Sequence, residues 1–128
     1  MVVRITALAL AAAGALVAPA APAHAAVKPV CLAAVNHPCA WQRTTSAGVA
    51  GGGLIDADDP ARPTVLRVEV RIQRAWGSPW ETVVAVTEVQ SGSIRLSTPA
   101  VTTPYRTITC ATGGPADDLA SQTTTCTF

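Results

Sequence analysis

The sequence is poor in aromatic residues and in lysine, and its one long apolar run stands near the N-terminus. Phenylalanine, tyrosine and tryptophan make up 4% of the 128 residues, so aromatic side chains can contribute little to a core and crosslinks would help the chain to fold. The apolar run, Ile5 to Val17, is shorter than the about 20 residues that a membrane-spanning helix needs. The run therefore argues against a transmembrane anchor.

The first residues instead predict a secretory signal peptide over residues 1–25. Arg4 precedes the apolar run, prolines end it, and Ala23 to Ala25 form an A-x-A cleavage site. Cleavage one residue later is the alternative. No cysteine stands at the cleavage point and no apolar tail ends the chain. We therefore expect a secreted, extracellular protein with no membrane anchor after cleavage.

The remaining residues, 26–128, are enough for one small domain. Removing the leader takes Arg4 from the nine basic residues and leaves all eight acidic ones, so the mature chain has no net charge. A protein that binds nucleic acid needs a basic surface to neutralise phosphates. The balanced charge therefore argues against nucleic acid as a partner, and equally against anionic membranes.

Four cysteines remain in a compartment where thiols oxidise to disulfides. They allow three pairings. We predict Cys31–Cys39 and Cys110–Cys126, because each pair closes a short loop that contains turn-forming residues. Loops of this length would contribute about 3 kcal/mol per bridge. A long bridge such as Cys31–Cys126 is the alternative, and the absence of a CxxC motif argues against a zinc site.

Alternating side chains predict the clearest strands. In VLRVEVRIQR the apolar residues alternate with polar ones, which is typical of a strand with one wet face (Leu66, Val68, Val70 and Ile72). The segment WETVVAVTEV follows after a Gly-Ser-Pro turn, so the two segments predict a hairpin. The parity of the second segment places Trp80, Thr82, Val84 and Val86 on one face. On the opposite, solvated face of the first segment we expect Arg67 and Arg71 with Glu69 between them.

Other segments predict shorter strands. SIRLS, residues 93–97, follows a Ser-Gly turn, but a tight turn there would put Ile94 and Leu96 on the wrong face. A longer turn or a crossing to a second sheet would resolve that conflict. GVAGGG, residues 48–53, predicts either a bulged strand or a flexible link. With a final hairpin and no helical pattern after the leader, about seven strands predict an all-β fold, an antiparallel β-sandwich of immunoglobulin-like type.

Trp76 and Trp80 stand four residues apart around the hairpin turn. With a loop of three or five residues, their parity matches the apolar faces of both strands. The favoured interpretation is that they close one end of the core, where an aromatic pair would add about 0.5–1.5 kcal/mol. The alternative is that they form a ligand-binding platform, with Trp41, at an open end of the sandwich.

The segment VEVRIQRAWGSPWETVVAV, an SGS turn, YRT and a final TCTF resemble a pattern found in small secreted actinobacterial proteins of unknown function. This resemblance covers most of residues 26–128. It implies an immunoglobulin- or fibronectin-III-like β-sandwich. No functional residue carries over from it, because its motifs belong to strands and turns.

The sequence contains no recognisable catalytic set. His37 is the only histidine after the leader and stands in an NHP turn, and no G-x-S-x-G motif supplies a nucleophile. Glu69, Glu81 and Glu88 stand at strand positions that predict solvent-facing or terminal side chains, which argues against a two-carboxylate glycosidase. We therefore expect no enzymatic activity and no cofactor.

The acidic segment DADDP is the best candidate for a cation site. Asp56, Asp58 and Asp59 could offer hard oxygen ligands to calcium, but Pro60 stands where the next ligand would be. A solvated acidic loop, paired with Arg62, is the preferred interpretation, so no metal is expected.

The function favoured by the sequence is a secreted, non-enzymatic β-sandwich that binds an unknown extracellular ligand or protein. One alternative is a small-ligand or glycan binder that uses Trp76 and Trp80. The other is an exported protease inhibitor, which rests only on a size and cysteine count shared with bacterial subtilisin inhibitors.

Overall fold

The computed structural model describes residues 28–31 and 36–128, and the predicted signal peptide, residues 1–25, lies outside this part. The described chain contains eight strands and one short 3-10 helix. Within it, no helix has the length and apolar character to cross a membrane. In chain order the elements are β1 (Val30–Cys31), β2 (Cys39–Thr45), β3 (Gly48–Ile55), β4 (Pro63–Gln73), β5 (Glu81–Ser91), β6 (Ile94–Ser97), β7 (Arg106–Pro115), the 3-10 helix (Leu119–Ser121) and β8 (Thr123–Cys126).

The strands form two antiparallel sheets of four strands each. Sheet I has the order β1-β2-β3-β6, and sheet II has the order β5-β4-β7-β8. The predicted all-β antiparallel sandwich is confirmed, with eight strands instead of about seven. β6 pairs with β3 in sheet I, although β5 before it belongs to sheet II. This crossing resolves the conflict over the face of Ile94 and Leu96.

The core lies between the two sheets and is aliphatic. β4 occupies an inner position of sheet II, and its apolar residues are buried as the alternation predicts (Leu66, Val68, Val70 and Ile72). Ile55 and Ile94 of sheet I belong to the same core cluster as Leu66 and Val68. A polar contact also crosses the interior, where the Thr109 hydroxyl donates to Oε1 of Gln42 at 3.3 Å.

Three consecutive glycines, residues 51–53, lie within β3, so the glycine-rich segment is a strand and not a flexible link. A Cβ on Gly51 would stand 2.7 Å from Thr109 Cγ2, and a Cβ on Gly53 would stand 2.5 Å from Val68 Cγ2. Both distances are too short for carbon atoms in contact, so these two glycines allow the sheets to approach closely. A Cβ on Gly52 would overlap the indole of Trp41.

The structure contains the predicted pair of disulfides. Cys31–Cys39 joins β1 to β2, and Cys110–Cys126 joins β7 to β8. In both pairs the two cysteines stand directly opposite each other in the strand register. Each disulfide therefore ties an edge strand, β1 or β8, to its neighbour.

A bulge at Val83 changes the faces of β5. Thr82 and Val84 pair with consecutive residues of β4, so Val83 is an extra residue. One extra residue inverts the alternation of the strand beyond it. Thr82 therefore lies on the outer face, where its hydroxyl donates to Glu69 at 2.7 Å. The predicted common face of Thr82, Val84 and Val86 is wrong for this reason.

Glu69 is only 5% exposed, so the expectation of a fully solvated outer face is also wrong at this position. Arg71 donates to its carboxylate from two nitrogens, and Arg67 forms a second ion pair at 3.5 Å. Burial by itself would raise the pKa of Glu69. The hydrogen bonds from Thr82 and Arg71, with the charges of both arginines, outweigh burial and hold that pKa below its usual value.

Candidate functional site

All five aromatic side chains of the sequence lie outside the buried core. Trp76, Tyr105 and Phe128 are exposed, and Trp41 and Trp80 are half-buried. Aromatic residues normally supply the largest buried apolar area of a domain. Here aliphatic residues fill the interior, and the aromatic residues gather at two places on the surface.

The first place is one end of sheet II, which we call the aromatic end and define by Gln73, Trp76, Trp80, Arg106 and Phe128. These side chains, with Gly77, line a concavity of about 310 Å³. Gln73 and Arg106 stand opposite each other in the register of β4 and β7, on the outer face of the sheet. The concavity is therefore built from two strands, the hairpin loop and the C-terminal residue.

The loop between β4 and β5 holds both tryptophans and runs over residues 74–80. It is longer than the three or five residues that we predicted. The Ser78 hydroxyl accepts from Ala75 N at 3.0 Å and donates to Ala75 O at 2.7 Å, which closes a turn around Trp76. Gly77 follows with a φ of 83°, a conformation that favours glycine. The amide of Gln73 donates to Ser78 O at 3.0 Å and fixes the loop to β4.

Arg106 links the two indoles. Its guanidinium carbon lies 5.2 Å from the ring centroid of Trp76 and 5.5 Å from that of Trp80. Both distances lie in the range of cation–π attraction. Trp76 nevertheless remains 88% exposed, so most of its indole surface stays in contact with solvent. The arrangement presents one exposed ring beside a fixed positive charge.

The favoured prediction that these tryptophans close the core is wrong for Trp76. The bulge at Val83 inverts the alternation of faces at the start of β5. The longer loop carries Trp76 beyond the ends of the strands. The structure instead brings Trp76 and Trp80 together on the outside, which is the geometry that a platform requires. Trp41 does not join them, because it lies on sheet I.

A second aromatic–arginine contact borders this end. Arg74 lies 5.2 Å from the centroid of Tyr105 and forms an ion pair with Glu81 at 2.7 Å. The hydrogen bond and the charge of Glu81 raise the pKa of Arg74 above its usual value. Arg74 is thus engaged with a carboxylate, whereas Arg106 forms none of the ion pairs of the described residues and lines the concavity beside the two indoles.

The second surface place lies on the outer face of sheet I, around Trp41. The guanidinium of Arg95 lies 4.7 Å from the Trp41 ring centroid. Trp41 and Arg95 also line a concavity of about 230 Å³, together with Pro29, Cys31, Cys39, Arg43 and Leu54.

Charge pairing separates the arginines of the described residues into two groups. Four form ion pairs with carboxylates (Arg62, Arg67, Arg71 and Arg74). The described part contains every acidic residue of the sequence, yet none lies within ion-pair distance of the other three (Arg43, Arg95 and Arg106). These three line the two concavities. Sequence reasoning missed them, because a strand arginine has the same local pattern whether or not a carboxylate pairs with it.

The other candidates from the sequence lie elsewhere. His37 is half-buried, and its Nδ1 lies 2.9 Å from the Thr123 hydroxyl. Asp56, Asp58 and Asp59 occupy an exposed loop after β3, and no group of three or more His, Cys, Asp or Glu side chains in the described residues is placed to hold a metal ion. The guanidinium of Arg62 pairs with Asp117, and only the backbone N–H of Arg62 donates to the acidic loop, at Asp59 O.

No family model, no curated protein and no solved structure matches this chain. A function must therefore be argued from the positions of its own side chains.

Proposed function

We propose that the protein is a secreted, non-enzymatic β-sandwich that binds an extracellular ligand at the aromatic end. The observation that supports this most directly is the exposure of Trp76 beside Arg106. Transfer of a large apolar side chain out of water stabilises a complex by about 1.5–3 kcal/mol. Tryptophan and arginine are also the residues most enriched among side chains that dominate binding energy.

The ligand class that fits this end best is a glycan. Sugar rings have an apolar face that can stack on an indole, and their hydroxyls need hydrogen-bond partners at the ring edge. Trp76 offers the flat surface, and Arg106 and Gln73 offer donors and an amide oxygen beside it. The concavity of about 310 Å³ is at the lower limit of ordinary ligand sites, which suits one or two sugar units.

A titration with neutral oligosaccharides tests this site. We expect cello-, chito- or malto-oligosaccharides to change the emission of wild-type tryptophans, and Trp76→Ala to weaken binding at least tenfold, about 1.4 kcal/mol. Arg106→Gln should weaken it as well. The matched control is Trp41→Phe, which alters an indole on the other sheet. Absence of oligosaccharide binding, or equal binding by Trp76→Ala, would reject the glycan site.

Export is tested separately. We expect the protein from the culture medium to begin at Ala26, with both disulfides formed. N-terminal sequencing and a non-reducing peptide map measure the two features. Intact Met1 in a protein retained inside the cell would contradict the signal peptide.

The protease-inhibitor alternative remains a prediction, and assays against subtilisin- and trypsin-like enzymes test it.

A further inference from the structure

We propose that the outer face of sheet I holds a second, independent site that binds a small organic carboxylate with an apolar skeleton. The site is built from Trp41, Arg43 and Arg95, with Leu54 and the Cys31–Cys39 disulfide as its apolar wall. It lies on sheet I, whereas the aromatic end lies on sheet II. The site therefore does not depend on the function proposed above.

Gly52 makes the arrangement possible. Trp41 lies on β2 and Arg95 on β6, and β3 runs between these two strands. Trp41 stands directly opposite Gly52 in the register, and a Cβ at that position would overlap the indole. Because glycine has no side chain, the indole can lie across the backbone of β3 and reach Arg95. The ring then holds the guanidinium by a cation–π contact at 4.7 Å.

The charge of sheet I selects an anion. Its four strands contain no aspartate or glutamate, whereas they carry Arg43 and Arg95. Both arginines are exposed, and no carboxylate of the described residues lies within ion-pair distance of either. Arginine presents a planar fork of donors that matches a carboxylate with two parallel hydrogen bonds. A bound carboxylate would place a negative charge beside two exposed guanidinium groups that line the same concavity.

The walls of the concavity select the rest of the ligand. Pro29, Leu54 and the Cys31–Cys39 disulfide line it beside the arginines, and its volume is about 230 Å³. This is smaller than most pockets that hold drug-sized molecules. The space fits one aromatic or branched aliphatic group next to the carboxylate. Such a ligand has two sources: a free carboxylic acid or the C-terminal residue of a peptide.

Nuclear magnetic resonance titration of the secreted, disulfide-bonded protein tests the site. The probes are benzoate with its neutral counterpart benzamide, acetyl-alanyl-leucine with its C-terminal amide, and inorganic phosphate. We expect benzoate or the free peptide acid to shift the indole N–H resonance of Trp41, and the neutral counterparts to leave it unchanged. Raised salt should weaken the binding, because the attraction is between exposed charges.

Variants assign the binding to named residues. Arg43→Gln and Arg95→Gln should each weaken carboxylate binding about tenfold. Gly52→Ala should displace the indole and weaken it as well. Arg106→Gln is the matched control, because it removes an unpaired arginine beside tryptophans on the other sheet, and it should bind carboxylate as wild type does. Amide spectra of the variants check that the core is unchanged.

The outcomes decide the proposal. Binding of both carboxylate probes, or of one alone, supports the site and identifies the source of the ligand. Equal shifts from benzoate and benzamide, phosphate binding as tight as that of benzoate, unchanged affinity in Arg43→Gln and Arg95→Gln, or no shift at all would overturn it. Loss of oligosaccharide binding in Trp76→Ala with carboxylate binding intact would confirm that the two sites are separate.

Discussion

Single buried polar groups differ in whether they find a partner. The Thr109 hydroxyl bonds to Gln42, whereas Thr125 Oγ1 is a buried side-chain atom for which the described residues provide no hydrogen-bond partner. A buried polar group without a partner costs about 1–3 kcal/mol of desolvation that nothing offsets. The two threonines lie on neighbouring strands, so they form a matched pair.

Replacing these threonines with valine should have opposite effects. Thr125→Val should raise the free energy of unfolding by about 1 kcal/mol, because it removes an unpaired hydroxyl at nearly constant volume. Thr109→Val should lower it by about 1 kcal/mol, because it leaves the Gln42 oxygen without that donor. Urea unfolding measures both changes. Destabilisation of the same size in both variants would contradict this account.

The ion pairs of Glu69 predict a pH dependence of stability. Its pKa is lowered in the folded state, so its contribution is present above the pKa of the unfolded chain and is lost as pH falls through the folded value. Glu69→Gln should cost about 1–2 kcal/mol at pH 7 and less at pH 3, because the carboxylate of wild type loses its charge progressively as the pH falls toward the lowered pKa. Urea unfolding at the two pH values measures this difference.

Glu88→Gln is the control variant for the comparison of Glu69→Gln at the two pH values. It removes one negative charge from β5, and Glu88 takes part in none of the ion pairs of the described residues. A cost of Glu69→Gln that is the same at both pH values would show that packing, and not charge, explains it.

At the scale of elements, alternation predicted most strands and failed at the bulge. β4 has the predicted alternation, and both disulfides have the predicted partners. The bulge at Val83 could not be recognised from the sequence, because an extra residue in a run of β-branched side chains leaves the local pattern unchanged. The extra residue lies between Val84 and Trp80, so it reverses the alternation that would otherwise place Trp80 on the inner face.

The two surface sites were only partly predictable for a similar reason. The sequence indicates tryptophans as binding candidates by their chemistry; Trp76 and Trp80 line one of the two concavities, and Trp41 lines the other. Arg106, Arg95 and Arg43 gain their significance only from the absence of nearby carboxylates. That property depends on how two sheets are ordered, so no local motif can show it.

The close approach of β3 to sheet II predicts a coupled pair of substitutions. Gly53→Ala should lower the free energy of unfolding by about 1–3 kcal/mol, because its Cβ would overlap Val68. Val68→Ala alone should also destabilise, by opening a cavity. The double variant should be more stable than the sum of the two costs, since the smaller side chain makes room for the new methyl. A double-mutant cycle in urea measures the coupling, and strict additivity would contradict the contact.

At the scale of the whole molecule, an aliphatic core is combined with disulfides at one edge of each sheet. Cys110–Cys126 fastens β8 to β7, a strand that runs beside β4 through the core. Cys31–Cys39 fastens β1, which contains two exposed residues. Loss of the first bridge therefore affects the sandwich as a whole, and loss of the second affects mainly one edge.

Removal of the disulfides should reflect that difference. Cys110→Ala with Cys126→Ala should lower the free energy of unfolding by about 2–4 kcal/mol. Cys31→Ala with Cys39→Ala should lower it by less than about 1.5 kcal/mol, because β1 can detach without unfolding the rest. Guanidinium unfolding followed by circular dichroism measures both. A larger loss for the second pair would contradict the edge role of β1.

The surface position of every indole also determines what tryptophan fluorescence can measure in this protein. Denaturation moves no tryptophan from a fully buried site into water, so the emission maximum should shift little when the chain loses its structure. A bound molecule that covers Trp76 or Trp41 would lower the polarity around a solvent-exposed indole. It should therefore shift the emission maximum to shorter wavelength. Tryptophan fluorescence should therefore respond weakly to unfolding and strongly to a ligand that covers Trp76 or Trp41.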